Sequence, residues 1–279
     1  MFWTRLASGI VLLIIAIGAM SYGGWVLAAL LCGVSLIAFR ELTKALKCAG
    51  DGNGSGTAPM PGGMEWAGMT GILCYYLLMY FEAGDTFLLM CIVGTFLAAM
   101  FVYVLAFPRY HADQVMAVVF SFLYAPVLLS FVYETRTAPQ GIYMVWMILI
   151  SSWGCDTCAY AVGKLIGRKK IFPVLSPKKS LEGCIGGVLG AALIGWLYGH
   201  FFVGRAFPEE SVAWAIAAIC AAGAVMSMVG DLAASAIKRN HDIKDYGKLI
   251  PGHGGIMDRF DSMIVTAPMT YFLTLLLLP

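Results

Sequence analysis

The sequence predicts an all-α, polytopic integral membrane protein with about nine transmembrane helices and a polar site that faces the cytoplasm. Hydrophobic residues make up 60% of the 279 residues and charged residues only 12%. Soluble domains typically carry about 25% charged residues. A water-soluble fold of this size cannot bury so much apolar surface, because much of its exterior must face water. The lipid bilayer is therefore the expected solvent.

Nine stretches are apolar and close to the length of a spanning helix, which needs about 20 residues. They are residues 6–20, 23–39, 66–82, 86–107, 115–133, 141–163, 184–203, 212–237 and 262–278. We expect an N-terminal membrane region, 1–140, with about five spans and a C-terminal catalytic region, 141–279, with about four. The N-terminal region contains a Gly-rich loop at 49–63, whose composition indicates a flexible connector rather than a lid.

The distribution of Lys and Arg agrees with nine crossings that start on the cytoplasmic side. With that topology only Arg136 and Arg205 fall in outside segments, as the positive-inside rule requires. The net charge is only +2, and half of the charged side chains lie in residues 164–182 and 230–261. No basic face extends over the chain as in nucleic-acid-binding modules, so we expect no nucleic-acid partner.

The eighth apolar stretch ends with a carboxylate, a hydroxyl and an ammonium at helical spacing. Asp231, Ser235 and Lys238 stand at i, i+4 and i+7, so they share one helix face. Ionisable residues at this depth usually face the protein interior or a water-filled cavity. A helix end whose basic residues extend toward lipid headgroups would explain Lys238 and Arg239. It would not explain Asp231, which lies deeper.

A glycine-rich turn and two more carboxylates precede the last stretch. Backbone N–H groups around Gly254 and Gly255 can approach a ligand closely, and His253 either donates to a phosphate or caps the loop. Asp258 and Asp261 open the ninth stretch at i and i+3, where the helix dipole also favours carboxylates. Carboxylates among basic residues suit Mg²⁺ bridged to phosphates. The carboxylates are Asp231, Asp258 and Asp261, and the basic residues are Lys238, Arg239, Lys244 and Arg259.

A second polar cluster lies in the sixth stretch. Asp156 stands well inside a membrane helix, which makes it a functional-site candidate. Ser152, Asp156 and Tyr160 at i, i+4 and i+8 predict a polar stripe along that helix. The loop at 164–183 is basic and rich in small residues. It is either a polybasic segment that touches anionic lipid or a phosphate cradle of lysines and serine hydroxyls.

Three parts of the sequence carry a resemblance to a known family. The longest is Ser235-x-Ile237-Lys238-Arg239-x4-Lys244-Asp245-x-Gly247-x2-Ile250-Pro251-x-His253-Gly254-Gly255-Ile256-x-Asp258-Arg259-Phe260-Asp261. The others are Cys155-Asp156-Thr157 to Gly167-Arg168 and Ser176-Pro177-Lys178-Lys179-Ser180-x-Glu182-Gly183. Together they resemble the signature of phosphatidate cytidylyltransferases (CDP-diacylglycerol synthases), with Leu181 where Thr is expected. The match covers the C-terminal half, and the first 140 residues match only in hydrophobicity.

The resemblance implies transfer of CMP from CTP to phosphatidic acid, which gives CDP-diacylglycerol and pyrophosphate for phospholipid biosynthesis. It implies Mg²⁺, as one or two ions, held by Asp231, Asp258 and Asp261, with Ser235 and Lys238 as further catalytic residues. The substrate contacts are expected from Asp156, Lys178, Lys179, Ser180, Glu182, Arg239, Lys244, His253, Gly254, Gly255 and Arg259. The expected location is a cell membrane, the bacterial inner membrane, with the N-terminus and active site cytoplasmic.

Two other functions stay open at this point. A CTP-dependent lipid or polyprenol kinase would face the same compartment but would make lipid phosphate and CDP. An ion-coupled transporter would also place Asp156 and Asp231 in the membrane. It would be expected to carry polar residues in both membrane halves, whereas here nearly all intramembrane carboxylates lie in the cytoplasmic half. The oligomeric state is left open, a homodimer included.

Overall fold

The computed structural model of the protein describes residues 2–46, 62–205, 207, 210–250 and 254–278. Within these ranges the chain is helical, and its only β-pairing is two isolated bridges, Lys170–Ser180 and Ile250–Gly254. The all-α prediction is confirmed. The helices are α1 (Phe2–Tyr22), α2 (Gly24–Ala45), α3 (Gly63–Tyr80), α4 (Asp85–Leu105), α5 (Ala112–Phe122), α6 (Leu128–Thr137), α7 (Gly141–Leu149), α8 (Cys155–Ile166), α9 (Leu181–Tyr198), α10 (Glu210–Asn240) and α11 (Met257–Leu277).

Three π-helical turns extend or join these helices. They are Leu123–Val127 between α5 and α6, Ile150–Gly154 between α7 and α8, and Gly199–Val203 after α9. Each of the nine apolar stretches is therefore helical in the structure. Most of the Gly-rich loop expected at 49–63 lies outside the described residues.

Seven helical segments of the described chain are long and apolar enough to cross a membrane. They are Gly24–Ala45, Asp85–Leu105, Ala112–Thr137, Gly141–Ile166, Leu181–Val203, Ser211–Asn240 and Met257–Leu277. The protein is thus a multi-pass membrane protein. Two of the nine expected spans fall outside this group. The apolar part of α1, Ser8–Tyr22, is shorter, and α3 contains Glu65 and several glycines and tyrosines.

The polar stripe predicted for Ser152, Asp156 and Tyr160 is wrong. The π-helical turn at Ile150–Gly154 interrupts the 3.6-residue period on which the stripe depended, since such a turn inserts one extra residue. Ser152 is fully buried and donates to the Ile148 carbonyl at 2.6 Å. Asp156 and Tyr160, by contrast, are exposed to a cavity.

The chain divides into two compact units. The first comprises residues 1–130 and 241–259, and the second comprises residues 131–240 and 260–279. The segment 241–259 lies late in the sequence but belongs to the unit of the N-terminal helices. The polar signature at 230–261 is therefore shared between the units.

In the first unit, a buried ion pair joins α2 to the start of α3. Arg40 pairs with Glu65, whose side chain is completely buried. The same carboxylate accepts hydrogen bonds from the Thr43 hydroxyl and the Gly62 N–H, both at 2.7 Å. A buried charge is stable only when it is paired and hydrogen-bonded. This cluster therefore holds the beginning of α3 against α2.

In the second unit, α9 packs closely on α8 and α10 because its contact faces are built from small residues. A side chain at Gly186 would overlap Val162 of α8. One at Gly195 would overlap Cys220 of α10. Small residues let membrane helices approach closely, and van der Waals packing is a main source of helix association in lipid.

Replacing Gly187 of α9 with Val is expected to lower the thermal stability of the detergent-purified protein. A Cβ at Gly187 would already stand 3.0 Å from the Ala159 Cβ and the Cys155 Sγ, and the γ carbons of valine would force α8 and α9 apart. Overpacking of this kind costs about 1–3 kcal/mol. The control is Gly94→Val, because nothing lies within 4 Å of a Cβ at that position. Equal melting temperatures for the two variants would contradict the packing argument.

Candidate active site

A cavity of about 450 Å³ in the second unit collects much of the predicted polar cluster. We call it the lysine cavity, because four lysine side chains contribute to its lining. Its walls are formed by Asp156, Ala159, Tyr160, Gly163, Lys164, Lys170, Pro177, Lys178, Lys179, Ser180, Gly183, Cys184 and Met228. Of the residues expected from the sequence to bind substrate, Asp156, Lys178, Lys179 and Ser180 lie here. Tyr160, Lys164 and Lys170 also line the cavity; the sequence placed them in the polar stripe and the basic loop but did not single them out as substrate-binding residues.

The loop between α8 and α9 is held in place by hydrogen bonds along its backbone. Leu181 N–H donates to the Lys169 carbonyl at 2.8 Å, and the Lys170 ammonium donates to the Lys178 carbonyl at 3.1 Å. Ser180 is buried and caps α9, its hydroxyl accepting from the Gly183 N–H at 3.2 Å. The loop therefore presents its lysines from a fixed backbone. Ser180 itself has a structural role that accounts for its position.

Glu182 also serves the loop. Its carboxylate accepts hydrogen bonds from the Arg168 N–H at 3.0 Å and the Lys169 N–H at 3.3 Å. These bonds tie the end of α8 to the first turn of α9. The expected role of Glu182 in binding substrate stays a prediction, and the contacts present in the structure are structural ones.

Lys179 forms the central ion pair of the second unit. Its ammonium lies 2.5 Å from the carboxylate of Asp231 on α10. The exposed fractions of the two side chains are 21% and 31%, so the pair is partly shielded from solvent and is stronger than a surface ion pair. The contact brings the basic loop and the end of the eighth stretch, two separate parts of the sequence, into one site.

Asp261 is the buried carboxylate of this site, with 7% of its surface exposed. It interacts electrostatically with Asp231, Asp156 and Lys238, and one of its oxygens accepts from the Ser262 N–H at 2.7 Å. The helices approach closely here because α10 has Gly230 against the Asp261 carbonyl, where a Cβ would meet that oxygen at 2.5 Å. The negative charges exceed the positive ones around Asp261, an arrangement that suits a cation.

The rest of the predicted face on α10 is helical, as the spacing required. Ser235 and Lys238 are half-buried, and Arg239 is exposed at the end of the helix. Because most residues of this helix end are equally half-buried, the inward direction of the face of Asp231, Ser235 and Lys238 stays a prediction.

In the first unit, the turn before α11 is organised by Asp258. Its carboxylate oxygen Oδ2 accepts from the Tyr246 N–H at 2.9 Å and from the Gly255 N–H at 3.0 Å. Gly254 has φ +87°, a conformation that residues with a side chain rarely adopt. The Gly255 N–H, expected to face a ligand, is thus bonded to Asp258. Ligand binding by this N–H would require that bond to break.

The remaining predicted residues differ in exposure. Lys244 is exposed and Arg259 is half-buried at the start of α11. His253 lies outside the described residues, so its expected contact with phosphate stays a prediction.

Glu41 is a residue of this region that sequence reasoning missed. It lies on α2, is 8% exposed, and accepts hydrogen bonds from the Ile256 and Met257 N–H groups at 3.2 and 2.8 Å. In the sequence it stands just after the second apolar stretch, next to Arg40, and is typical of a solvated helix end. The one available signal was a carboxylate at the margin of a span.

Among the residues that the structure describes, no group of three or more His, Cys, Asp or Glu is arranged to hold a metal ion by itself. A Mg²⁺ site needs fewer protein ligands than that, because the ion typically takes one or two protein carboxylates and completes its shell with water and phosphate oxygens. Asp231 and Asp261, oxygen donors close to one another in the second unit, fit an ion of this kind. The donor set therefore suits a metal bridged to substrate rather than a closed protein cage.

Fold and site together define a class: a multi-pass helical membrane protein whose polar cavity, lined by four lysines and Asp156, suits phosphate compounds. A family model described as the cytidylyltransferase family matches residues 3–277. The chain belongs to that family, and the resemblance in the sequence is confirmed.

Individual relatives agree with the family. A phosphatidate cytidylyltransferase of Bacillus subtilis is 33% identical over 162 residues, which cover 58% of each chain. Proteins of the same name from Staphylococcus saprophyticus and Synechocystis are 34% and 38% identical, over 53% and 50% of this chain and 55% and 46% of theirs. The aligned segments thus span about half the length of the curated relatives that the chain matches.

Proposed function

We propose that the protein transfers CMP from CTP to phosphatidic acid, forming CDP-diacylglycerol and releasing pyrophosphate. The observation that carries the proposal is the lysine cavity with Asp156 in its wall, in a chain of the cytidylyltransferase family. Both substrates are polyanions, and lysine ammonium groups bind phosphate as compact charges. The cavity volume of about 450 Å³ is within the usual range for small-molecule sites, about 300–1,000 Å³.

The reaction needs positioning and charge neutralisation more than acid–base chemistry. An oxygen of the lipid phosphate attacks the α-phosphorus of CTP and forms a new P–O bond. The bond from that phosphorus to the bridging oxygen of the β-phosphate breaks, and pyrophosphate leaves with the electron pair. The lipid phosphate is already ionised at neutral pH, so no strong general base is required. In such transfers alignment and electrostatic stabilisation supply most of the acceleration.

Residues of this chain divide that work between them. The lysines of the cavity neutralise the triphosphate, and Lys179 gives up part of its interaction with Asp231 when phosphate enters. Ser235 and Lys238 extend the same helix face and donate to phosphate oxygens. The proposal assigns further phosphate contacts to Arg239, Lys244, His253 and Arg259, and backbone contacts to Gly254 and Gly255.

We propose that Mg²⁺, as one or two ions, is held by Asp231 and Asp261. Asp258 is proposed as a further ligand from the sequence alone, because it stands at i and Asp261 at i+3. When bound, the ion neutralises charge on the phosphates. The excess of carboxylates around Asp261 supports this assignment, because without a cation those charges repel one another.

The proposal places the site on the cytoplasmic side of a bacterial inner membrane, where CTP is available. The distribution of basic residues supports this orientation. Every residue named for the reaction belongs to one chain, and the homodimer considered from the sequence stays a prediction.

The test is an assay of the full chain purified in detergent, with CTP labelled at the α-phosphate, phosphatidic acid and Mg²⁺. The expected result is labelled CDP-diacylglycerol and unlabelled pyrophosphate, with product formation abolished by a chelator and restored by added Mg²⁺. The absence of labelled lipid would contradict the proposal. Product formed equally well in the chelator would contradict the metal assignment alone.

A second arm of the assay distinguishes a CTP-dependent lipid kinase from the proposed cytidylyltransferase. It uses CTP labelled at the γ-phosphate with diacylglycerol or a polyprenol as acceptor. A labelled lipid phosphate and free CDP would show a CTP-dependent lipid kinase. We expect no label in lipid here, because these acceptors carry no phosphate that could attack the α-phosphorus, and cytidylyl transfer never moves the γ-phosphate to the lipid.

A further inference from the structure

Glu41 is a buried carboxylate that α2 directs at the beginning of α11. Its two oxygens accept hydrogen bonds from different backbone groups, Oε1 from the Ile256 N–H at 3.2 Å and Oε2 from the Met257 N–H at 2.8 Å. Glu41 and its two donors are more than 200 residues apart in sequence, but all three belong to the first compact unit. The contact is therefore a tertiary one, made across the fold of that unit.

The chemistry of the contact explains why a carboxylate stands there. The first N–H groups of an α-helix have no partner within the helix, and α11 begins at Met257. A negative charge at this end is also favoured by the helix dipole. Glu41 therefore caps the start of α11 from a different helix, whereas a capping side chain usually belongs to the residue just before the helix. Ser180, which directly precedes α9, is a cap of the usual kind.

The surrounding turn is shaped to admit the Glu41 side chain. A Cβ at Gly247 or at Gly255 would overlap the Glu41 carboxylate. Both residues therefore need to be glycine for a reason that is separate from ligand approach. The glycines of the signature make room for a carboxylate that comes from outside the signature.

Asp258 holds the same turn from its other side, through the Gly255 and Tyr246 N–H groups. Gly255 is thus confined between two carboxylates. Glu41 and Asp258 also repel each other electrostatically, while Lys44 attracts Glu41. Two like charges are kept near each other, which costs energy. The backbone hydrogen bonds of the turn offset that cost, and they fix where the Asp258 side chain points.

We propose that Glu41 is a positioning residue of the active site. It fixes the first turn of α11 and so sets the orientation of Asp258. Glu41 touches neither substrate nor metal. This inference rests on the proposed function, because Asp258 is a metal-binding residue only within that proposal.

The test compares Glu41→Gln with Glu65→Gln. Glutamine keeps the size of Glu41 but leaves one acceptor oxygen, so one of the two N–H groups faces an amide nitrogen. Glu65 is the matched control: it is a buried carboxylate of the same unit whose partners, Arg40, Thr43 and Gly62, lie on α2 and at the start of α3. Hydrogen exchange and steady-state kinetics are measured on both full-length variants in detergent.

Glu41→Gln is expected to speed amide exchange in peptides covering 254–260 roughly tenfold or more. It is expected to lower kcat by about ten- to a hundredfold and to raise the Mg²⁺ concentration for half-maximal rate, as losing a partner that orients metal ligands does. The KM for CTP is expected to stay nearly constant, because the lysines that meet the triphosphate belong to the second unit. Glu65→Gln is expected to leave the Mg²⁺ requirement unchanged, and any faster exchange it causes is expected to extend over its whole unit rather than to concentrate in 254–260.

A second pair of variants tests the same contact in case Glu41→Gln does not fold. Gly255→Ala pushes a methyl group into the Glu41 carboxylate, so in the wild-type background it is expected to lower kcat as Glu41→Gln does. In a Glu41→Ala background the space is free, and Gly255→Ala is expected to cost little more. Additive losses in this double-mutant cycle would overturn the inference, since independent sites add.

Unchanged exchange or unchanged kcat in Glu41→Gln would overturn the inference, and so would equal losses in Glu65→Gln. If wild-type protein made no CDP-diacylglycerol, the proposed function would fail and the positioning role would fail with it. The exchange measurement would still show whether Glu41 caps α11, because it needs no substrate.

Discussion

Asp261→Asn is expected to lower the rate of CDP-diacylglycerol formation by about a thousandfold, with no loss of folded protein. Asp261 is 7% exposed, and its charge lies near those of Asp231 and Asp156. Asparagine has nearly the same shape but removes one negative charge from a site that is proposed to hold Mg²⁺. The measurement is kcat in the labelled-CTP assay, together with the melting temperature in detergent.

A second expected result for Asp261→Asn concerns its melting temperature. A buried carboxylate among like charges destabilises the fold when no cation is bound, so Asp261→Asn is expected to melt at the same temperature as wild type or higher in the absence of Mg²⁺. Glu65→Gln is the contrast. It breaks a buried ion pair with Arg40, for which the cost is about 3–5 kcal/mol, and it is expected to melt lower while its folded fraction stays active. An Asp261→Asn protein that is fully active, or inactive because it is unfolded, would contradict the catalytic role.

Apolar length was enough to predict where the helices lie. Each of the nine stretches is helical in the structure because a chain in lipid must satisfy its backbone hydrogen bonds within the segment. The number of spans was predicted less well: nine were expected, and seven helical segments of the described chain are long and apolar enough to cross a membrane. Glu65 and Gly68 serve the packing of α3 on α2, and Gly71 serves its packing on α4. Tertiary needs of this kind do not follow from composition.

Spacing along one helix was also reliable. Asp231, Ser235 and Lys238 share a face of α10 because that helix continues unbroken to Asn240. The same reasoning failed for Ser152, since a π-helical turn changes the period without leaving a mark in the residue types. Helical spacing predicts a shared face only where the backbone keeps the α-helical hydrogen-bond pattern.

Contacts between distant parts of the chain could not be predicted. Glu41 looks like an ordinary residue at the end of a span until α11 is seen to begin against it. Ser180 and Glu182 belong to the motif that carries the resemblance, yet their contacts in the structure are those of a helix cap and a loop tie. The residue types indicated phosphate chemistry. Only the fold shows that Ser180 and Glu182 also hold the loop and the start of α9 in place.

Lys179→Ala is expected to lower kcat/KM for CTP by on the order of a hundredfold. Lys179 lines the lysine cavity, and its ammonium lies 2.5 Å from the Asp231 carboxylate. Its removal takes a positive charge from the triphosphate and leaves Asp231 without its cation beside Asp261. Lys169→Ala is the matched control, since Lys169 belongs to the same loop but has an exposed side chain that is not part of the cavity lining. It is expected to keep nearly full activity.

The ion pair with Asp231 makes it possible to separate the structural effect of Lys179 from its effect on catalysis. Lys179→Ala leaves a half-buried carboxylate unpaired and is expected to lower the melting temperature. Adding Asp231→Asn removes the orphaned charge, so the double variant is expected to regain much of that stability. Activity is expected to stay lost, because neither the lysine proposed to bind phosphate nor the carboxylate proposed to hold Mg²⁺ remains. If the double variant recovered activity along with stability, Lys179 and Asp231 would be a structural pair only, and the metal and phosphate roles proposed for them would be wrong.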